Sequence, residues 1–266
     1  MLSQSTDTVL RALRLNAMAN EVARQNEDPK LVASLSFDER LSLIVDAEWR
    51  KRESNKLARL KRAANLPIRG AQVEDIEYLP DRKLDKAKIT YYASCSYIEQ
   101  GHHIILHGAS GSGKTYLACA LGNAACRRFM KVHYTRMQEL LERLEWEKNQ
   151  GEYRKYINGL KKVDLLIIDE FLTKCLTPEE ASHLLEVVEV RSRNDEGTSG
   201  RSTLFCSQFE PAEWYPRMSP DSPEHSPETE AIIDRIVHSA HMFPMCGKYS
   251  MREHYGIHHG DGGDSV

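Results

Sequence analysis

Gly108-Ala109-Ser110-Gly111-Ser112-Gly113-Lys114-Thr115 is a complete phosphate-binding loop of the Walker A pattern. Its flanks fit that reading. His103-Ile104-Ile105-Leu106-His107 is a short apolar run, the pattern of a buried strand. Tyr116-Leu117-Ala118-Cys119-Ala120-Leu121 is the opening of a helix. Strand, glycine loop and helix is the setting in which backbone N–H groups and a helix N-terminus cradle phosphate oxygens. In that setting Lys114 reaches the β- and γ-phosphates and the Thr115 hydroxyl ligates Mg²⁺. The expected ligands are therefore ATP or ADP with Mg²⁺, held by residues 108–115 and by Tyr116 at the helix start.

Downstream, strand and helix patterns alternate. Lys131 to Thr135 predicts a strand, Met137 to Asn149 a helix and Tyr153 to Leu160 another. Val163 to Ile168 predicts a buried strand. Thr177-Pro178-Glu179-Glu180 opens a helix running to about Arg193, and Ser202 to Cys206 predicts a further strand. Prolines 216, 220, 223 and 227 mark an irregular loop, and Ser226-Pro227-Glu228 caps one more helix. The alternation predicts an α/β core, a parallel sheet with helices on both faces.

Asp169-Glu170 closes the third strand pattern. An aspartate there, a Walker B residue, joins Thr115 in the Mg²⁺ shell, and Glu170 polarises an attacking water as general base. The strand between the two Walker motifs, with a Glu beside the Asp, is the pattern of additional-strand ATPases. Ser207-Gln208 ends the next strand, where Ser207 reads either as a sensor-1 residue facing the γ-phosphate or as an ordinary polar strand end entering a loop. Asp234-Arg235 lies on the last helix. Arg235 reads either as an ion-paired surface residue or as an arginine finger offered to a neighbouring subunit. Arg252, the last arginine of the chain, reads either as a sensor-2 contact to phosphate in its own subunit or as a solvated charge.

The chain has 266 residues, enough for one large domain and a small one, and a net charge of -3. No basic segment with an apolar run opens it, and no apolar stretch reaches the length of a membrane span. Six cysteines are scattered without a CxxC pair, which predicts reduced, mostly buried thiols in the cytoplasm rather than a zinc site. His258-His259 sit in a glycine-rich tail.

Before the core, Val9, Leu10, Leu13, Met18 and Val22 recur at helical spacing until Asp28-Pro29. Ser36-Phe37-Asp38-Glu39 is a capping box opening a second helix that stops before Pro67. That helix carries a basic segment within the near-neutral whole: Arg50, Lys51, Arg52, Lys56, Arg59, Lys61 and Arg62. It is a candidate for sequence-tolerant contact with duplex DNA. Arg143, Lys148, Arg154 and Lys155 form a second candidate set, interleaved with glutamates. The expected organisation is a small helical DNA- or partner-binding domain at 1–65, a linker at 66–80, an ATPase domain at 81–255 and a flexible tail at 256–266.

With these residues in place, the chain resembles the IstB/DnaC-like branch of the AAA+ family. The resemblance runs through Ile98-Glu99-Gln100-Gly101-His102, Leu166-Ile167-Ile168-Asp169-Glu170 and Ser207-Gln208-Phe209…Glu213-Trp214. It continues through Ile233-Asp234-Arg235-Ile236-Val237-His238 and Ser250-Met251-Arg252. The resemblance implies a P-loop AAA+ core behind an all-α N-terminal domain. It implies an ATPase that forms a homo-oligomer on duplex target DNA, with ATP at subunit interfaces, and recruits or activates a transposase. It assigns Arg235 to the arginine-finger position and Arg252 to the sensor-2 position. The sequence departs from the family in three places: a polar run with the look of an insertion before the fourth strand, Asp195 to Gly200; a His- and Gly-rich tail; and a segment after 237 too short for a full helical lid. A replicative helicase loader is the alternative reading, and a P-loop enzyme acting on a small molecule is the third.

Overall fold

The computed structural model describes residues 4–192, 201–219, 226–247 and 250–251. The chain divides into two compact units, residues 1–59 and 60–266. In the first lie α1 (Gln4–Ala12), α2 (Asn16–Glu27), α3 (Pro29–Ser34) and most of α4 (Phe37–Ala63). The single helical pattern expected around residues 9–22 is broken in two, because Arg14 takes a left-handed φ of 61°. The capping box forms as read: the Ser36 amide donates to Glu39 Oε2 at 2.8 Å, and the Glu39 amide donates to Ser36 Oγ at 3.3 Å.

The second unit holds α5 (Lys86–Ala93), α6 (Ser96–Glu99), β1 (His103–His107), α7 (Lys114–Arg127), β2 (Val132–Arg136), α8 (Met137–Asn149), α9 (Tyr153–Lys161) and β3 (Leu165–Phe171). It continues with α10 (Pro178–Ser192), β4 (Ser202–Ser207), α11 (Tyr215–Met218), α12 (Pro227–Val237) and β5 (Ala240–Pro244). The five strands form one parallel sheet in the order β2-β3-β4-β1-β5. β4 therefore lies between the two Walker strands, the arrangement expected of an additional-strand ATPase. The strand β5 had no counterpart in the sequence reading. Among the described residues, no helical lid follows it.

Side-chain alternation along β3 shows how the sheet is covered. Leu166 and Ile168 face a core shared with α8, α9, α10 and α12. Ile167 points the other way, toward Gly122 of α7, where a Cβ would come within 3.1 Å of it. Helix α7 is buried nearly all round, as its small and apolar residues dictate. Residues after α4 pack beside it: the Asn123 amide donates to Ala71 O at 2.9 Å and Arg69 O at 3.2 Å. The stretch 66–80 is thus bound along α7, with Leu66 and Ala71 buried.

Buried Arg191, near the end of α10, ties three elements together. It donates to Leu160 O at 2.6 Å, Val163 O at 2.9 Å and Thr203 Oγ1 at 3.0 Å, and to Ser202 O. Carbonyls replace water around the charge, and burial lowers its pKa to about 9. No helix among the described residues is long and apolar enough to cross a membrane.

Candidate nucleotide-binding site

The glycine loop leaves the C-terminal end of β1, where parallel sheets open their ligand crevices. Gly108 has φ 145° and lies so close to Met245 that a Cβ would strike its carbonyl oxygen. Gly113 has φ 92°, and a Cβ there would sit 2.9 Å from the Arg82 guanidinium. A side chain at either position would push the loop off these neighbours, and the positive φ angles favour glycine as well. The loop's carbonyls are held from outside. Arg82 donates to Ser112 O at 2.9 Å, and the Met251 amide to Gly111 O at 2.9 Å. Lys114 Nζ donates to Gly108 O at 2.7 Å and Ala109 O at 2.8 Å. Burial lowers its pKa, so the ammonium is poorly hydrated and fits an anionic partner.

Thr115 Oγ1 donates to Asp169 Oδ2 at 2.7 Å, joining the two Walker motifs. Tyr134 OH, on β2, donates to the same oxygen at 2.7 Å, and the Glu170 amide donates to Asp169 Oδ1 at 2.8 Å. Burial first, and then the charge of Asp169, push the Tyr134 phenol far up, so it remains a donor. A hydroxyl and an oriented carboxylate form a hard oxygen donor set suited to Mg²⁺. Glu170 lies one residue on with φ 56°, a left-handed conformation inside a strand. Its carboxylate is half-exposed, 3.8 Å from the Arg136 guanidinium.

These groups line a cavity of about 470 Å³ that includes Ser110, Gly111, Lys114, Thr115, Asp169 and Glu170. A second cavity of about 410 Å³ adjoins it through Gly113, Tyr116 and Met251. Its walls are largely apolar, from Ile76, Leu84, Ile89 and Leu117, with Asp75 and Glu77 as acceptors. The pair suits a ligand with a charged phosphate end and a flat, mostly apolar end.

The structure moves one predicted residue off the site. Ser207 is fully buried, and its hydroxyl donates to Phe171 O at 3.0 Å and accepts from the Phe209 amide at 3.2 Å. The hydroxyl therefore works between strands, and Gln208 lines the phosphate cavity instead. Arg235 does not line that cavity. It pairs with Glu189 on α10 at 3.1 Å and donates to Ala231 O at 3.0 Å. Arg252, the Asp195–Gly200 run and His258-His259 lie outside the described residues. Tyr116 lies on both cavities, its hydroxyl 3.5 Å from Gln72.

The two sets of DNA candidates differ in how their charge is compensated. Arg50, Lys51, Arg52, Lys56, Arg59, Lys61 and Arg62 are all exposed along α4. Arg52 pairs with Glu48 at 2.9 Å, and Arg50 lies 3.9 Å from Asp46. In the second set Arg143 pairs with Glu147 at 2.6 Å, Lys148 with Glu179 at 2.7 Å and Lys155 with Glu152 at 2.8 Å, while Arg154 is exposed. Most charge in that set already faces a carboxylate. Sequence reading missed Tyr134, Arg136, Arg82 and the apolar cavity. Of these only Arg136 carried a signal, a cation directly after the predicted strand Lys131 to Thr135.

Comparison with known proteins agrees with this geometry. The profile of the IstB-like ATP binding proteins matches residues 8–256. A protein of insertion sequence IS1162 from Pseudomonas fluorescens, described as ATP-binding, is 38% identical over 209 residues, 79% of this chain and 87% of the relative. An insertion-sequence protein from Sinorhizobium fredii with the same description is 34% identical over 252 residues, 95% of this chain and 96% of the relative. Among solved structures, the DnaC helicase loader matches with TM-score 0.53 and 16% identity, covering 66% of this chain and 96% of that one. AMPPCP-bound DnaA from Aquifex aeolicus matches with TM-score 0.53 and 15% identity, covering 69% and 52%. These two likenesses concern the fold alone. With a match that spans nearly the whole chain, the protein belongs to the family of IstB-like ATP binding proteins.

Proposed function

We propose that this protein is a Mg²⁺-dependent ATPase that assembles on duplex DNA and recruits or activates the transposase of its insertion sequence. The observation that carries the reading is the hydrogen bond from Thr115 to Asp169 at 2.7 Å, which joins the two Walker motifs in a chain whose relatives are insertion-sequence proteins. The loop 108–113 and Lys114 would hold the phosphates, and the apolar cavity beside Tyr116 would take the base. Thr115 and Asp169 would hold Mg²⁺. Bound there, the ion supplies positive charge to the phosphate oxygens. Glu170 accepts a proton from the attacking water, and Gln208 orients polar groups at the γ-phosphate end. Arg235, directed away from its own cavity, would complete a neighbouring subunit's site once its pairing with Glu189 is exchanged for phosphate.

ATP at a subunit interface stabilises the assembly by mass action, so nucleotide state would control oligomerisation. The N-terminal helical segment, 1–65, would carry the DNA- or partner-binding surface through the basic half of α4. Light scattering with duplex DNA, ATP and Mg²⁺ tests this. A nucleotide-dependent rise in mass is expected, and a protein that stays monomeric overturns the reading.

A further inference from the structure

We propose that Arg217 is a positioning residue for Glu170, locking the turn that carries this carboxylate to the segment leaving β4. The inference rests on the reading of Glu170 as general base.

The turn is built against backbone preference. Glu170 and Leu172 both lie in the left-handed region, with φ 56° and 57°. L residues avoid that region, so the surroundings must hold them there. Three local bonds help. The Thr173 amide donates to Glu170 O at 3.2 Å, its hydroxyl to the same oxygen at 2.9 Å, and the Glu170 amide to Asp169 at 2.8 Å. All three lie within residues 169–173. Outside contacts hold Phe171 and the amide side of Leu172: Ser207 Oγ donates to Phe171 O at 3.0 Å, and the Leu172 amide donates to Met137 Sδ at 3.1 Å.

Arg217 holds the following carbonyls, those of Leu172 and Thr173. Its Nε donates to Leu172 O at 2.6 Å and a second guanidinium nitrogen donates to Thr173 O at 2.8 Å. Its own carbonyl accepts from the Leu176 amide at 2.9 Å. The guanidinium stacks on the Phe209 ring, 3.6 Å from its centroid. Phe209 directly follows Gln208 of the phosphate cavity. Buried Trp214 anchors the same segment by donating to Phe209 O at 3.2 Å and packing on Phe171 at 4.8 Å. One planar cation with a fixed fork thus bridges two successive carbonyls of the turn and the residue beside the sensor. A shift at Gln208 would be transmitted to Glu170 through this clamp.

The test compares Arg217→Gln, Arg217→Lys, Glu170→Gln and the double variant Glu170→Gln/Arg217→Gln with the parent protein. Amide exchange of the nucleotide-free protein is read by mass spectrometry. In Arg217→Gln the peptide covering 170–176 should exchange on the order of tenfold faster, with the 108–115 peptide unchanged. Turnover on duplex DNA should fall on the order of tenfold in kcat, with KM and fluorescent ATP-analogue affinity within about twofold. Arg217→Lys, which keeps charge but not the fork, should fall between. The double variant should turn over no more slowly than Glu170→Gln.

Unchanged exchange at 170–176 overturns the inference. So does a kcat loss that multiplies in the double variant, because Arg217 would then act elsewhere. If Glu170→Gln slows turnover and Arg217→Gln does not, the inference fails and the general base stands. If Glu170→Gln leaves turnover intact, the reading of the base falls and takes the inference with it. Should Arg217→Gln not fold, Phe209→Leu removes the stack alone, and it must raise exchange at 170–176 and lower kcat without moving KM.

Discussion

Ser207 closes β4 and Gln208 opens the bend that follows, and this change of backbone sends the adjacent pair to different tasks. The Ser207 hydroxyl has one donor and one acceptor bond inside the protein, to Phe171 O and from the Phe209 amide. Removing it strands a buried carbonyl and a half-buried N–H, which costs roughly 1–3 kcal/mol. Gln208 is exposed and lines the phosphate cavity. Two substitutions separate the roles. Ser207→Ala should lower the melting temperature by several degrees, on the order of 2–4 °C per kcal/mol, with kcat nearly unchanged in protein that remains folded. Gln208→Ala should leave melting within about a degree and slow ATP hydrolysis on the order of tenfold. The reverse pattern would return the sensor role to Ser207. The sequence places a polar pair at this strand end, but which member faces the ligand depends on strand register, and register is set by packing that a single chain pattern does not display.

At the scale of elements, legibility follows how local the determinants are. Helix α8 spans Met137–Asn149, the bounds its apolar spacing predicts, because Leu140, Leu141 and Leu144 mark one buried face. Strand β5 was illegible. Its residues Ala240-His241-Met242-Phe243-Pro244 lack a β-branched pattern, and it is ordered by pairing with β1, from His103↔Ala240 to His107↔Pro244. A proline is tolerated there because β5 pairs on one side only. The apolar cavity was equally hidden, since residues 75–77, 84, 89 and 117 share no period. Strand β1 carries a further consequence of burial. His103 is 4% exposed, and its Nδ1 accepts from the Thr203 amide at 3.2 Å. Burial first, then the nearby Arg191 charge, lower its pKa from 6.5 to about 4. The folded chain keeps this imidazole neutral while the unfolded chain takes up a proton below pH 6.5. Stability must therefore fall as pH drops from about 6.5 to about 4. At pH 5 the site alone should subtract about 2 kcal/mol relative to pH 7.5. Urea midpoints at the two pH values measure it. His103→Asn, which keeps an acceptor for Thr203, should flatten that part of the profile, and an unchanged slope would assign the acid sensitivity to other groups.

On the scale of the whole molecule, a net charge of -3 conceals a polarised helix. The N-terminal half of α4 carries Asp38, Glu39, Asp46 and Glu48, and the C-terminal half carries the exposed cations from Arg50 to Arg62. The other basic set, on α8 and α9, is largely neutralised by Glu147, Glu179 and Glu152. A cation already facing a carboxylate must give up that contact to meet a phosphate, so it contributes less to counterion release. Each phosphate neutralised contributes about -0.9 to the slope of log K against log salt on duplex DNA. Replacing Lys56, Arg59 and Arg62 together by alanine should therefore make the slope shallower by about 2 to 3 and weaken binding at low salt. Replacing Arg143, Lys148 and Lys155 together should change the slope by about 1 or less. Fluorescence anisotropy with one duplex across a salt series, in the presence of an ATP analogue, reads both. A flat response in the parent protein would remove phosphate contact from the function altogether. A larger effect from the α8 and α9 set would move the DNA track from α4 to the ATPase core, with those ion pairs opening on binding.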